Sequence, residues 1–465
     1  MIVTTTSGHQ TEPASPPRLH VLARRWLGSV LKPETERAET QRAAIAAFLV
    51  RVTSAALLYA SQIFMARWMG TFEYGVYVFA WTWVLILGGL SHGGLHVGMM
   101  RLLPQHRARG EDEFARGLLR YGRMFAFIAS TAVALIGAAL VWLLQAYLAN
   151  YYVWPLLLAL ICVPIYALTD VQDGVGRANS WMFAGLVPPY ILRPTILLIA
   201  MLAFHQGGWP MTAETACLAA IVASWLSGII QLAMIERRLP SQLRRGAASV
   251  DAKGWARMSL PIMLITACEM MLTYTDVIVV SAYLDASQVG IYFAAAKTMA
   301  LILFVQYAVG SASAKNFATH HASGDHVALA ASVRNAVHWT FWPSLVCACI
   351  ILLLGRPLLW LFGPEFTNAY GVMFILVIGY LARAAMGPSE FLLNMTGQQV
   401  AGAWIYVSMA IFNLALNLVL VPLYGLMGAA AATATATTAA AVLSYWVARQ
   451  RLRLDIGIWA NLSRS

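Results

Sequence analysis

The chain has 465 residues, 60% hydrophobic and only 11% charged, and its 31 Lys and Arg against 20 Asp and Glu leave a net charge of +11. A soluble domain carries about 25% charged residues. The composition therefore excludes a soluble enzyme, a disordered chain and a nucleic-acid-binding domain, whose basic charge would be dense rather than diluted in apolar sequence. A membrane-spanning helix needs about 20 apolar residues, so the length supplies about a dozen crossings and little else.

Residues 1–42 are polar and rich in Pro and Arg, with no apolar stretch behind the charged start. They predict an N-terminal tail without a cleavable signal peptide. Within it, Leu19–Leu31, with Arg24 and Arg25, reads either as a short amphipathic helix on the membrane surface or as plain tail. Apolar runs follow at 43–66, 74–99, 122–147, 153–172, 181–203, 214–235, 259–283, 290–313, 336–354, 371–393, 400–420 and 427–447. The expected fold is an all-α polytopic membrane protein with twelve transmembrane helices. An N-terminal six-helix lobe (43–235) is joined to a C-terminal one (259–447) by the basic linker 236–258, and 448–465 forms a tail. The five cysteines lie in apolar stretches and read as small hydrophobes.

Twenty-five of the 31 cations fall in the two tails and the even-numbered connections, and only Arg67 and Arg356 in the odd-numbered ones. Such a bias places the Lys/Arg side, and with it both termini, in the cytoplasm. Four cations remain inside spans: Arg51, Arg193, Lys297 and Arg383. Each costs about 2.5–3.5 kcal/mol at mid-helix on insertion scales, so none is expected to face lipid. The chain also repeats itself. "ARWMGTFEYGVYVFAW" from Ala66 and "SAYLDASQVGIYFAAA" from Ser281 both place Gly-x-Tyr at the start of a span, at Gly75–Tyr77 and Gly290–Tyr292. Duplicated bundles of this kind are a common transporter architecture with substrate held between the halves.

Further along, the residues resemble a known family. "WARMSLPIMLITACEMMLTYTDVIVVSAYLDASQVGIYFAAAKTMALI" (Trp255–Ile302) resembles the seventh and eighth spans of polysaccharide, or O-antigen-type, flippases. "ARWMGTFEYGVY" resembles their N-terminal signature. "LFGPEFTNAY" (Leu361–Tyr370), "LLNMTGQQ" (Leu392–Gln399) and "NLVLVPLYGLMGAAAAT" (Asn417–Thr433) resemble their C-terminal half. The matches run in order over about 43–450 and point to the multidrug/oligosaccharidyl-lipid/polysaccharide exporter superfamily. The resemblance implies a MATE-like alternating-access fold of two six-helix lobes in a bacterial inner membrane. It also implies an undecaprenyl-diphosphate-linked oligosaccharide as cargo, with a polymerase and other polysaccharide-assembly proteins as partners and no cofactor.

The residues agree with an anionic cargo, because guanidinium groups hold phosphate oxygens in a bidentate fork. Arg51, Ser54 and Gln62 fall on one face of the first span, and Arg383, Glu390 and Asn394 on one face of the tenth. Arg193 lies between Pro188-Pro189 and Pro194, which predicts a kink beside the cation. The alternative for each cation is an intramembrane ion pair, as of Arg383 with Glu390, and Lys297 can instead snorkel. Glu269 and Asp276, seven residues apart on the seventh span, are candidate proton or cation sites. Asn413 and Asn417 on the eleventh and Thr433 on the twelfth match in kind, with Asp276, the sodium site that the resemblance to lipid II flippases implies. The second member of that pair is Asn rather than Asp, which leaves Na+ or H+ coupling open. Their alternative is interhelical hydrogen-bond glue. His92 and His96 have metal-like spacing but lack a third ligand. Glu73, Asp170, Asp173 and Glu365 read as interfacial residues at span ends. Rival functions are lipid II transport, drug/cation antiport, and a membrane-embedded polymerase or glycosyltransferase. The antiporter is disfavoured by the arginines. The enzyme is disfavoured by an external loop, 355–370, whose only acid is Glu365.

Overall fold

The computed structural model describes residues 36–244 and 246–459, with 36–52 as helical backbone only. The Leu19–Leu31 segment lies outside the described residues, as does the Arg51 side chain. The helices are α1 Glu36–Ser91, α2 Leu95–Ala108, α3 Asp112–Leu143, α4 Asn150–Leu160, α5 Val163–Ala178, α6 Met182–Val187, α7 Arg193–Gln206, α8 Ala213–Arg238, α9 Ser241–Arg244, α10 Ala252–Tyr283, α11 Ala286–Met299, α12 Leu303–Ala322, α13 His326–Leu353, α14 Gly355–Phe362, α15 Tyr370–Ala385, α16 Ser389–Met395 and α17 Gln399–Leu452. No strand occurs among the described residues.

Nine described helical stretches are long and apolar enough to cross a membrane, and α4 with α5, bent by 44°, makes a tenth. Two of these cannot be single crossings. α1 has 56 residues and α17 has 54, and at 1.5 Å per residue each extends about 80 Å, against about 30 Å of hydrocarbon. Each passes through a glycine with non-helical dihedrals, Gly70 (φ 77°) and Gly425 (φ 57°). Counting each as two crossings is what recovers the twelve expected segments.

Hydropathy marks the part of a helix inside lipid, not where the helix ends. The third span begins at Asp112, ten residues before its apolar run, with Asp112 and Glu113 in the first turn, where acids complement the helix dipole. The linker shrinks at both ends, since α8 runs to Arg238 and α10 starts at Ala252. What is left of it is pinned: Arg116, 9% exposed, donates from Nε to the Ala247 carbonyl (2.6 Å) and from Nη1 to the Gln242 carbonyl (2.5 Å). Arg116, placed among the topological cations above, is therefore a structural anchor. The last helix likewise runs into the expected tail, to Leu452, and Arg453 (φ 56°) turns the chain back so that Leu454 and Ile456 join the core.

Three apolar cores define the shape. One lies in the N-terminal lobe at the basic end, around Met99, Leu118, Val175 and Ile235. A second lies in the C-terminal lobe at the same end, around Phe317, Val333, Leu392 and Ile456. The third and largest joins residues of both lobes, among them Met65, Tyr74, Tyr77, Val280, Tyr292 and Phe366. The lobes thus share one core at the end of the odd-numbered connections and have separate cores at the other, the arrangement of a V. Its open end is crossed by the start of α10, where Trp255 packs on Tyr121 and His106.

At the apex the repeat glycines meet. A Cβ on Gly75 would lie 1.8 Å from the Ala286 carbonyl oxygen, and a Cβ on Gly290 would lie 2.7 Å from that of Thr71. Thr71 and Ala286 occupy equivalent places in the two repeats, so the contact is reciprocal, as across a two-fold axis. Polar clamps surround it. Thr71 donates to Glu365 Oε2 (2.8 Å), the Tyr59 and Thr298 hydroxyls share a hydrogen bond (2.9 Å), and Arg67 lies over the Trp360 ring at 4.8 Å. Glu365 is therefore a bond between lobes rather than an interfacial residue. Gly75→Val and Gly290→Val should each cost about 1–3 kcal/mol or more by overpacking, read as a lower melting temperature of the purified protein. Gly402→Val, at a site with no atom within 4 Å, should leave it unchanged.

Candidate functional site

The three intramembrane cations with described side chains, Arg193, Lys297 and Arg383, do not share one site. Arg193 stands where the fifth span widens to π geometry over Pro188–Leu192: its N–H bonds the Pro188 carbonyl, five residues back. Pro188 and Pro189 lack the N–H groups that would close regular turns, so the kink falls beside the cation, as the sequence leads one to expect. Its guanidinium lies over the rings of Tyr166 (5.0 Å) and Trp81 (5.9 Å), and its charge also acts on Tyr274. From the other lobe, the half-buried Lys297 ammonium lies over Phe293 (4.9 Å) and Tyr274 (5.8 Å). It does not snorkel away from the protein. Two cations, one from each lobe, thus rest on aromatic rings, and among the described residues neither has a carboxylate at ion-pair distance. Aromatic faces stabilise a cation by about 0.5–2 kcal/mol, far less than a full counter-charge.

Arg383 is elsewhere. It forms an ion pair with Glu390 (3.1 Å) on the wall of a cavity of about 330 Å³ inside the C-terminal lobe. The tenth span is not one continuous face. α15 ends at Ala385, Gly387 takes φ 61° against Val337, and Pro388 precedes α16. Proline has no N–H to continue the ladder, and a broken helix at membrane depth is found where backbone lines a cavity. Arg383, Glu390 and Asn394 still meet in that cavity, brought there by the break rather than by helical periodicity.

The two acids of the seventh span also part. Seven residues restore the helical face but advance about 10 Å along the axis. Glu269 opens into the cavity of Arg383 and Glu390. Asp276, 5% exposed, is buried at the shared core. Its Oδ2 accepts from the Tyr292 hydroxyl (2.5 Å) and the Thr433 hydroxyl (3.4 Å), and its Oδ1 from the Val277 N–H (3.1 Å). Asp276 and Thr433 thus come together, and Lys297 acts on the same carboxylate electrostatically. Asn413 and Asn417 are buried and bonded to each other: Asn417 Nδ2 donates to the Asn413 carbonyl (2.9 Å) and to its Oδ1 (3.1 Å). That leaves Asn417 Oδ1 without a donor.

In the N-terminal lobe the second span is broken over 92–94, and His92 and His96 stand on either side of the left-handed Gly93 and Gly94. Their rings are 4.6 Å apart, and His92 Nε2 lies 3.5 Å from Asp170 Oδ2. Asp173 is buried against Arg177 (2.5 Å). These two acids are internal partners, not interfacial residues. No group of three metal-ligating side chains is arranged to hold a metal among the described residues.

Sequence reasoning missed Tyr274, Tyr292, Trp81 and Tyr166. Tyr292 was visible as the end of the second Gly-x-Tyr, a repeat marker rather than a chemical group. Its counterpart Tyr77 faces a different setting, because the position equivalent to Asp276 is Ser61. Tyr292→Phe should therefore destabilise by about 1.5–3 kcal/mol, the range for a hydrogen bond to a charged group. Tyr77→Phe should cost less than about 1 kcal/mol. Thermal melting of the two purified variants makes the comparison.

Residues 42–314, more than half the chain, match the family described as "Polysaccharide biosynthesis protein". No curated protein matches the chain. Among solved structures, an inward-facing multidrug resistance MATE transporter of the MOP superfamily superposes with a TM-score of 0.74 at 13% identity, covering 90% of this chain and 99% of that one. The lipid II flippase MurJ in an inward closed conformation gives 0.70 at 13%, covering 87% and 88%. The eukaryotic MATE transporter AtDTX14 gives 0.61 at 14%, covering 89% and 96%. At such identities the likeness is one of fold, and with the sequence match it places this multi-pass membrane chain in the polysaccharide biosynthesis protein family, with the two-lobed fold of MOP-superfamily transporters.

Proposed function

We propose that the protein is a flippase that moves an undecaprenyl-diphosphate-linked oligosaccharide from the cytoplasmic to the periplasmic leaflet of a bacterial inner membrane, with both termini in the cytoplasm. The observation that carries this reading is the pair Arg193 and Lys297, one from each lobe, each held on aromatic rings without an ion-paired carboxylate among the described residues. A diphosphate supplies the missing counter-charge and bridges the lobes in doing so. Because the lobes are joined at the odd-numbered end, the cleft between them opens toward the basic end, which the charge bias assigns to the cytoplasm. This is the side on which a lipid-linked precursor is loaded. Arg383 is not part of the diphosphate site in this reading, since Glu390 already neutralises it.

Asp276 is the coupling group on the same reading. It is a buried carboxylate at the shared core, with Thr433 on it and Lys297 acting on it electrostatically. Sodium or a proton bound there changes the charge that Lys297 experiences, and so the affinity of the adjacent diphosphate site. Asn413 and Asn417, with the unmet Asn417 Oδ1, belong to the same α10–α17 contact. Drug or cation antiport is the poorer account of two unpaired cations in the cleft.

Arg193→Ala and Lys297→Ala should each reduce polysaccharide export at least about tenfold while the protein remains in the membrane, the loss of about 1.4 kcal/mol or more of binding. Full export by both variants would overturn the diphosphate site. In proteoliposomes, an imposed sodium or proton gradient should accelerate flipping by the native protein and not by Asp276→Asn. Indifference of the native protein to both gradients would overturn the coupling assignment.

A further inference from the structure

The cavity of about 330 Å³ in the C-terminal lobe is lined by neither Arg193 nor Lys297 and has a different chemistry from that of the cation pair. Its volume lies at the small end of the ~300–1,000 Å³ typical of small-molecule pockets. It is lined from α10, α12, α15, α16 and α17, and it surrounds the break in the tenth span. Its charges are one guanidinium, Arg383, and two carboxylates, Glu269 and Glu390, a net negative set that repels a diphosphate. The rest of the lining mixes amides, hydroxyls and rings.

Two features mark it as a built site. Gln306, 7% exposed, lines the cavity with its Nε2 buried and unpartnered. An unmet buried amide costs about 1–3 kcal/mol, a cost that a ligand with both donor and acceptor groups removes. The second is a wall of rings. Phe391 packs edge-on to Tyr307 with centroids 5.9 Å apart, and its ring lies against Gly310, where a Cβ would come within 2.4 Å of it. A side chain larger than hydrogen at 310 would displace that ring, so the wall is held in place.

We propose that this cavity is the glycan subsite, taking one neutral, hydroxyl-bearing sugar ring of the cargo. The inference rests on the flippase reading above and deepens it. A hydroxyl both donates and accepts, and so matches the Gln306 amide; the paired acceptor oxygens of Glu269 and Glu390 suit vicinal hydroxyls; and the apolar face of a sugar packs on the Phe391 ring. An organic cation is the competing occupant of a pocket with two carboxylates. It would leave the Gln306 N–H donors unmet, since a cation has nothing for them to donate to. The position is also right for a sugar attached to the diphosphate. Glu269 in the cavity and Tyr274 in the cleft lie five residues apart on α10, about 7.5 Å along one helix.

The test is binding to the purified full-length protein in nanodiscs. The probes are undecaprenyl diphosphate, the lipid-linked oligosaccharide pool extracted from cells deleted for this gene, and tetraphenylphosphonium. The native protein should bind the oligosaccharide-bearing lipid at least tenfold more tightly than undecaprenyl diphosphate. Gln306→Leu and, independently, the cavity-facing Asn394→Ala should remove most of that difference while leaving the affinity for undecaprenyl diphosphate unchanged. Arg193→Ala should weaken both lipids alike. Equal affinity of the native protein for the two lipids, or no selective loss in both cavity variants, would overturn the glycan subsite and leave the flippase reading standing. Failure to bind either lipid would overturn the flippase reading itself. Tetraphenylphosphonium binding that Gln306→Leu abolishes and the glycolipid does not compete would assign the cavity to cations instead.

Discussion

Everything in this molecule hangs from the place where two backbones touch. Gly75 and Gly290 bring α1 and α11 together closely enough that a side-chain carbon on either would collide with a carbonyl oxygen of the other repeat. Within a bilayer there is no hydrophobic drive to bring helices together, because lipid is as apolar as they are, and small residues that permit close packing take its place. The reciprocal contact fuses the two lobes into one core at one end only. The separate cores at the other end follow from it, and so does a cleft whose walls belong to different halves of the chain.

The intramembrane charges below that apex are accommodated in three distinct ways. Arg383 has a carboxylate of its own in Glu390. Asp276 has two hydroxyls and a backbone N–H. Arg193 and Lys297 have mainly ring faces. These differ in what they leave unfinished. A salt-bridged guanidinium offers a ligand little net charge, and a satisfied carboxylate offers a small cation a place. A cation held only by aromatic quadrupoles retains nearly its full attraction for an anion in a low-dielectric cleft. The sites are thus sorted by electrostatic completeness, and the least complete one spans the lobe boundary.

Much of this was legible in the sequence because it is one-dimensional: the apolar runs, the basic bias, the duplicated Gly-x-Tyr and the prolines beside Arg193 are all local patterns. What escaped depends on depth and on breaks. Glu269 and Asp276 share a helical face yet serve different sites, because periodicity gives direction around an axis and not position along it. The Arg383–Glu390 pair was legible from its spacing but the helix break it crosses was not, and Arg116, Asp170 and Glu365 read as surface charges because their partners lie far along the chain, 126 residues away for Arg116 and 294 for Glu365, or, for Asp170, across a bundle. Aromatic residues were the largest omission. In so apolar a chain Tyr274 and Trp81 are indistinguishable from packing or interfacial belt residues until the cations on their faces are seen.

The duplication also explains why the lobes need not act alike. Superposing the repeats sets Tyr292 on Tyr77 and Asp276 on Ser61, so one half kept or acquired a carboxylate where the other has a hydroxyl. A fully symmetric pair of lobes would respond to an ion on both sides of the apex at once, and the response would have no direction. In the coupling proposed above, a single carboxylate beneath the glycine contact, bonded to Tyr292 and acting on Lys297, confines the response to the C-terminal lobe. On that proposal, charge gained or lost there acts close to the glycine contact that joins the lobes, where a small displacement of α11 against α1 becomes a large one at the open end of the V. A carboxylate at the mouth would have no such lever, and one in each lobe would work against itself.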